Sequence, residues 1–137
     1  MSELTINLKS DVASFEPGEE LTGSVSWELN KPPRDLELRL FWFTRGKGTE
    51  DAGLVQSLRF EQPLNAETRS FSFRLPEAPY SFRGSLISLV WALELIVEPT
   101  KEVVRQEIVV GPGRQQVELG RVSPNPAKLA WSINWRS

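Results

Sequence analysis

Hydrophobic residues recur at every second position through most of this chain. That period sends successive side chains to opposite faces of an extended backbone, so it admits strands and little else. In LTGSVSWEL, Leu21, Val25, Trp27 and Leu29 share one face while Thr22, Ser24, Ser26 and Glu28 share the other. The same parity runs through Leu36, Leu38, Leu40 and Trp42, through Leu54, Leu58 and Phe60, and through Phe71, Phe73 and Leu75. It continues in Ile87, Leu89, Trp91, Leu93, Leu95 and Val97, and in Val104, Ile108 and Val110. A final run sets Leu129, Trp131, Ile133 and Trp135 against Ala130, Ser132, Asn134 and Arg136. No comparable stretch has a helical period. Proline cannot donate to a sheet ladder, and all ten prolines fall between these runs or at their margins. Several short strands, each with one apolar face, are satisfied most simply by two sheets packed face to face. The expected fold is therefore all-β, a two-sheet antiparallel sandwich formed by residues 1–137 as one domain. GPGR at 111–114 marks the one candidate boundary, with an extension strand expected within 114–137.

The residues that are missing narrow the chemistry. The sequence has no cysteine and no histidine, so the usual thiolate nucleophile, the commonest general base near neutral pH and the commonest zinc ligands are absent. The expectation is no cofactor, no metal and no catalysis. Carboxylates are the best remaining acid–base groups. Glu16, Glu19, Glu20, Glu50, Asp51, Glu61, Glu67 and Glu77 fall in turns or at strand ends, and nothing in the sequence pairs two of them across a cleft. The formal net charge of -2 gives no reason to expect nucleic acid as a partner. No run approaches the roughly 20 apolar residues of a membrane-spanning helix, and MSELTINLKSD lacks the order of a signal peptide. A cytoplasmic protein without a membrane span is expected. Charge is unevenly spread, net -5 over residues 1–30 and net +3 over residues 111–137, as if two ends of one sandwich complement each other.

Two segments depart from simple alternation in ways that bear on function. In DLELRLFWFTR the second face begins polar with Glu37 and Arg39, then turns apolar with Phe41 and Phe43. Either the chain's own tail or a loop covers that face, or it is a partner-binding patch. In KLAWSINWRS, Trp131 and Trp135 share one parity, and these rings either complete the chain's own core or contact a partner. Phe41, Phe43, Trp131 and Trp135 are the candidate partner-binding residues. Trp27, Trp42 and Trp91 follow the core parity of their strands, which limits the rings available to a carbohydrate or small-ligand binding module, the alternative function.

FEPGEELTGSVSWEL at residues 15–29 resembles the opening of arrestin-like domains, where a Pro-Gly-Glu turn leads into a strand with a glycine near its start. FSFRLPEAPYSFRGSLISLVWALELIVEP at residues 71–99 is similar to the same family's succession of a strand, Leu-Pro, a proline-bearing loop, Ser-Phe-x-Gly and a long strand. The order and spacing resemble the N-terminal half of an α-arrestin, or the related retromer subunit and bacterial sporulation-control proteins. The resemblance implies an immunoglobulin-like sandwich and a disposition to bind proteins. Pro17 and Gly18 suit the two central positions of a type II turn, Gly23 and Gly84 suit close backbone approach, and Phe82 is expected to plug one end of the sandwich.

Departures from the family pattern limit what is carried over. The chain is too short for a second such domain, its first strand offers only Lys9 where visual-type arrestins carry paired lysines, and its one tyrosine, Tyr80, sits in a loop. Receptor regulation is therefore not expected. The expected function is a non-enzymatic protein interaction or scaffold domain with an unidentified protein partner, and homodimerisation through an edge strand or the Phe41–Phe43 patch is the version that needs the fewest components.

Overall fold

The computed structural model describes residues 2–47 and 50–120. Its strands are β1 (Glu3–Leu8), β2 (Ser14–Phe15), β3 (Glu20–Glu28), β4 (Asp35–Gly46), β5 (Ala52–Arg59), β6 (Ala66–Arg74), β7 (Phe82–Gly84), β8 (Ile87–Glu98), β9 (Glu102–Val110) and β10 (Val117–Gly120), with a single 3-10 turn at Pro112–Arg114. The smaller sheet has the order β1-β3-β6. The larger runs β5-β4-β8, and the far edge of β8 is then divided. Ser88 and Leu89 pair with β7, whereas Trp91 to Val97 pair with β9. All the long pairings are antiparallel. The two parallel pairings are short and lie at the margins, β2 with β9 through Ser14↔Val109 and Phe15↔Val110, and β10 with β7.

The alternating residues meet between the sheets as expected. Leu21, Val25, Trp27, Phe71 and Phe73 from the smaller sheet pack against Leu36, Leu38, Leu40, Leu89, Trp91, Leu93 and Leu95 from the larger, all buried. Removing each such side chain from water contributes about 1.5–3 kcal/mol. Room for this packing is made at Gly23, which is paired with Phe71. A Cβ there would lie 2.3 Å from the Asn7 carbonyl and 2.9 Å from the Phe71 ring.

Leu54 corrects the expected parity. It is 61% exposed, while its neighbour Val55 packs against the core. The cause is a bulge in β5: Leu40 pairs with Gln56 but Phe41 with Leu54, so one extra residue enters β5 and the parity of everything before it flips. Strict alternation read backward from Leu58 and Phe60 cannot register that insertion.

The turns and the closed end also follow the sequence. Glu19 N–H donates to the Glu16 carbonyl at 3.1 Å and Gly18 has φ of 79°, the geometry of a type II turn with Gly18 in its third position. Glu19 pairs with Arg114 at 3.0 Å and the Glu16 carboxylate accepts from Gly113 N–H, so the acidic turn and the basic 3-10 turn neutralise each other. At that end the buried Trp91 indole donates to the Pro79 carbonyl at 2.9 Å, Ser81 exchanges hydrogen bonds with the Val110 backbone, and Phe82 packs against the core. At the opposite end Glu67 and Arg69 occupy core-parity positions on β6 and pair at 2.8 Å. The Arg69 guanidinium holds the Glu67 carboxyl below its ordinary value, with the Leu64 N–H adding to the effect. Charges at such positions blunt β6 as an edge.

Candidate functional site: the outward face of the larger sheet

Because Leu38 and Leu40 point inward, Phe41 and Phe43 point outward, and the continuous β4–β8 register sets them beside Ala92 and Val90. Their rings stack at 5.9 Å with an interplanar angle of 29°. Ala92 is fully buried although it lies on the outward side, and the exposed Leu54 extends the apolar row beyond Phe41.

Two arginines lie over these rings. Arg105 from β9 places its guanidinium carbon 5.2 Å from the centre of Phe41 and 5.0 Å from that of Phe43, and Arg45 sits 5.4 Å from Phe43. Each is clasped by a carboxylate, Arg105 by Glu94 at 2.9 Å and Arg45 by Glu107 at 2.5 Å. The cations thus gain the negative ring faces beneath and the carboxylates beside them. Both clasps are solvent-screened and each contributes about 0–1 kcal/mol. We expect Arg105→Ala to change unfolding free energy by less than about 1 kcal/mol while increasing the fluorescence of a hydrophobic dye at the uncovered rings. A large stability loss without added dye binding would contradict this arrangement.

Beside the patch lies an open groove of about 650 Å³, bordered by Val12, Arg45, Arg83, Val90, Glu107 and Val109 among others. It occurs where β7 and β9 part along the divided edge of β8.

Of the residues singled out from sequence, Phe41 and Phe43 are brought together as one half-buried pair. Trp131 and Trp135 lie outside the described residues. Among the described residues the rings are covered by Arg45 and Arg105, while the tail, the other expected cover, lies outside the described residues. Arg45 was within reach of sequence reasoning, since it continues the alternation of Phe41 and Phe43. Arg105, Glu94 and Glu107 required the strand register. Trp27 and Trp91 are buried and Trp42 packs against the core, so these three rings are committed inward. Among the described residues no cluster of three or more histidine, cysteine, aspartate or glutamate side chains is placed to hold a metal, and no helix is long and apolar enough to cross a membrane.

Two packed sheets, the Pro-Gly turn into β3 and the proline-bearing loop into the long strand β8 make the fold an arrestin-like β-sandwich. No family model matches the sequence, and no curated protein matches it. In three dimensions the chain is similar to the sporulation control protein Spo0M from Bacillus subtilis, with a TM-score of 0.58 and 21% identity over 81% of this chain and 49% of that one. It thus spans about half the length of that protein, and the likeness shows the fold alone. A beta-glucosidase from Listeria innocua is similar over 85% of this chain and 16% of that chain, at 16% identity and a TM-score of 0.45, too slight a likeness to carry an argument.

Proposed function

We propose that this chain is a non-catalytic protein-interaction domain of arrestin-like type, and that its contact surface is the outward face of the larger sheet centred on Phe41 and Phe43. The observation that supports this reading is the pair of stacked rings held beneath two guanidiniums. Aromatic residues and arginine are enriched where protein interfaces concentrate their binding energy. The face carries both signs around the rings, Arg45 with Glu107, Arg105 with Glu94 and, further along β4, Arg39 with Glu37. A face that carries both signs beside apolar rings can meet a second copy of itself, as an isologous dimer requires. The proposed partner is accordingly another copy of this chain, with Trp131 and Trp135 as further candidate partner-binding residues.

Sedimentation velocity over a concentration series tests the proposal. The expected result is a concentration-dependent dimer for the full chain and a folded monomer for the double variant Phe41→Ser, Phe43→Ser. Truncation after Gly120 should weaken the dimer and leave the monomer's unfolding midpoint in place. A strict monomer at high concentration for the full chain would remove the homodimer, and an unweakened dimer after truncation would remove the two tryptophans from the contact.

A further inference from the structure

We infer that the groove between β7 and β9 receives an extended, carboxylate-bearing segment of a partner polypeptide, with Arg83 as its cationic anchor. This rests on the reading that the domain binds protein, in a groove that adjoins the Phe41–Phe43 patch and shares Arg45, Val90 and Glu107 with it.

The groove follows from the topology. Ser88 and Leu89 are bonded to β7 and Trp91 onward to β9, so the outward side of β8 is left uncovered around Val90. Its shape is fixed from below. Ser81, 2% exposed, donates its N–H to the Val110 carbonyl at 2.7 Å and accepts from Val110 N–H through its hydroxyl at 3.0 Å, which pins β9 to the start of β7. Val109 N–H donates to the Ala13 carbonyl at 2.8 Å, holding the β2 wall in place. A site built on strands tied in this way loses little entropy when it is filled.

The charges select the occupant. Three charged residues border the groove, namely Arg45, Arg83 and Glu107. Arg45 and Glu107 satisfy each other. Arg83 is exposed and makes no ion pair among the described residues, since Glu118, its register partner on β10, instead accepts from the Gln116 amide at 3.0 Å. One cation is therefore left over beside apolar surface from Val90, Val109 and the 57% exposed Val12. A carboxylate answers the first feature and small apolar side chains answer the second. An extended segment presents both by alternation, much as the walls of the groove do themselves.

Fluorescence anisotropy with three labelled synthetic peptides, in which valine alternates with glutamate, serine or lysine, tests this with the full chain. The glutamate peptide should bind with an affinity that falls as salt is added, the serine peptide at least about tenfold more weakly and the lysine peptide not measurably. Arg83→Glu should cost the glutamate peptide at least about tenfold, whereas Arg59→Glu, on the remote β5 edge, should leave it unchanged. Glu107→Gln releases Arg45 toward the groove and should tighten binding several-fold. Backbone amide shifts in NMR spectra should concentrate at residues 12–14, 82–83, 88–90 and 107–109, and the dispersion of the same spectra reports that each variant is folded. Equal binding of the three peptides, no binding of any, or indifference to Arg83→Glu in a folded variant would overturn the inference. Shifts confined to Phe41 and Phe43 would overturn it too, while leaving the interaction face proposed above intact. Competition by free glutarate at the affinity of the peptide would replace the polypeptide with a small anion.

Discussion

Trp91→Ala is expected to lower the unfolding free energy by about 3–5 kcal/mol, a large share of the roughly 5–15 kcal/mol that holds a domain of this kind folded. Trp91 has no exposure at all and sits in the central strand of the larger sheet, paired with Trp42 on one side and Ile108 on the other. Truncation removes the contacts of the indole and leaves a cavity that neighbours fixed by strand pairing cannot collapse to fill. It also strands the Pro79 carbonyl, which accepts the indole N–H at 2.9 Å in a buried setting. Trp91→Phe separates the two effects, because it keeps most of the volume and loses the donor. That variant should cost about 1–3 kcal/mol, the range for a buried polar group deprived of its partner. Urea titration of both proteins decides the matter. Equal losses in the two would mean that the hydrogen bond dominates, and losses below about 1 kcal/mol in both would contradict the burial of this side chain.

Gly23→Ala is expected to cost about 1–3 kcal/mol by overpacking, despite adding a single methyl group. The cause is the 2.3 Å approach of the added carbon to the Asn7 carbonyl. A flexible side chain could turn aside, but a backbone carbonyl moves only if β1 shifts against β3. Hydrogen exchange should therefore show the loss concentrated in β1, with β3 and β6 still protected. Ser24→Ala, one residue along and on the outward face, should stay within about 0.5 kcal/mol. Matching effects at the two positions would mean that the tight contact at Gly23 is not what the residue is there to permit.

How much of this was legible in the sequence depends on whether a feature is written along one strand or between strands. The inward set of β3, β6 and β8 could be read directly, because each strand repeats its parity without interruption. So could the turn at Pro17 and Gly18, since only particular residues take up a positive φ in its third position. Leu54 was misplaced because a bulge is an extra residue relative to a neighbour, and the neighbour is absent from a single strand's pattern. The candidate site divides in the same way. Phe41 and Phe43 were found as a break in alternation. Their cover by Arg105 was hidden because residues 62 positions apart in β4 and β9, as Arg45 and Glu107 are, become neighbours only through β8. The groove was invisible for a related reason, since it depends on where β8 exchanges one partner for another.

The parallel pairing of β2 with β9 has a consequence for how the chain leaves the ribosome. β1, β3 and β6 are all in hand once Arg74 has been made, and β4 with them, but β8, the other part of the cover over Leu21, Val25, Trp27 and Phe71, is still to come. Phe15 waits longer still, because Val110 is synthesised far behind it, and the adjoining contact of Glu19 with Arg114 spans 95 residues. At roughly 5–20 residues per second that interval lasts roughly 5–20 s. Until then Phe15 lacks its partner strand, and only the arrival of β9 lets the first and last thirds of the polypeptide lock together.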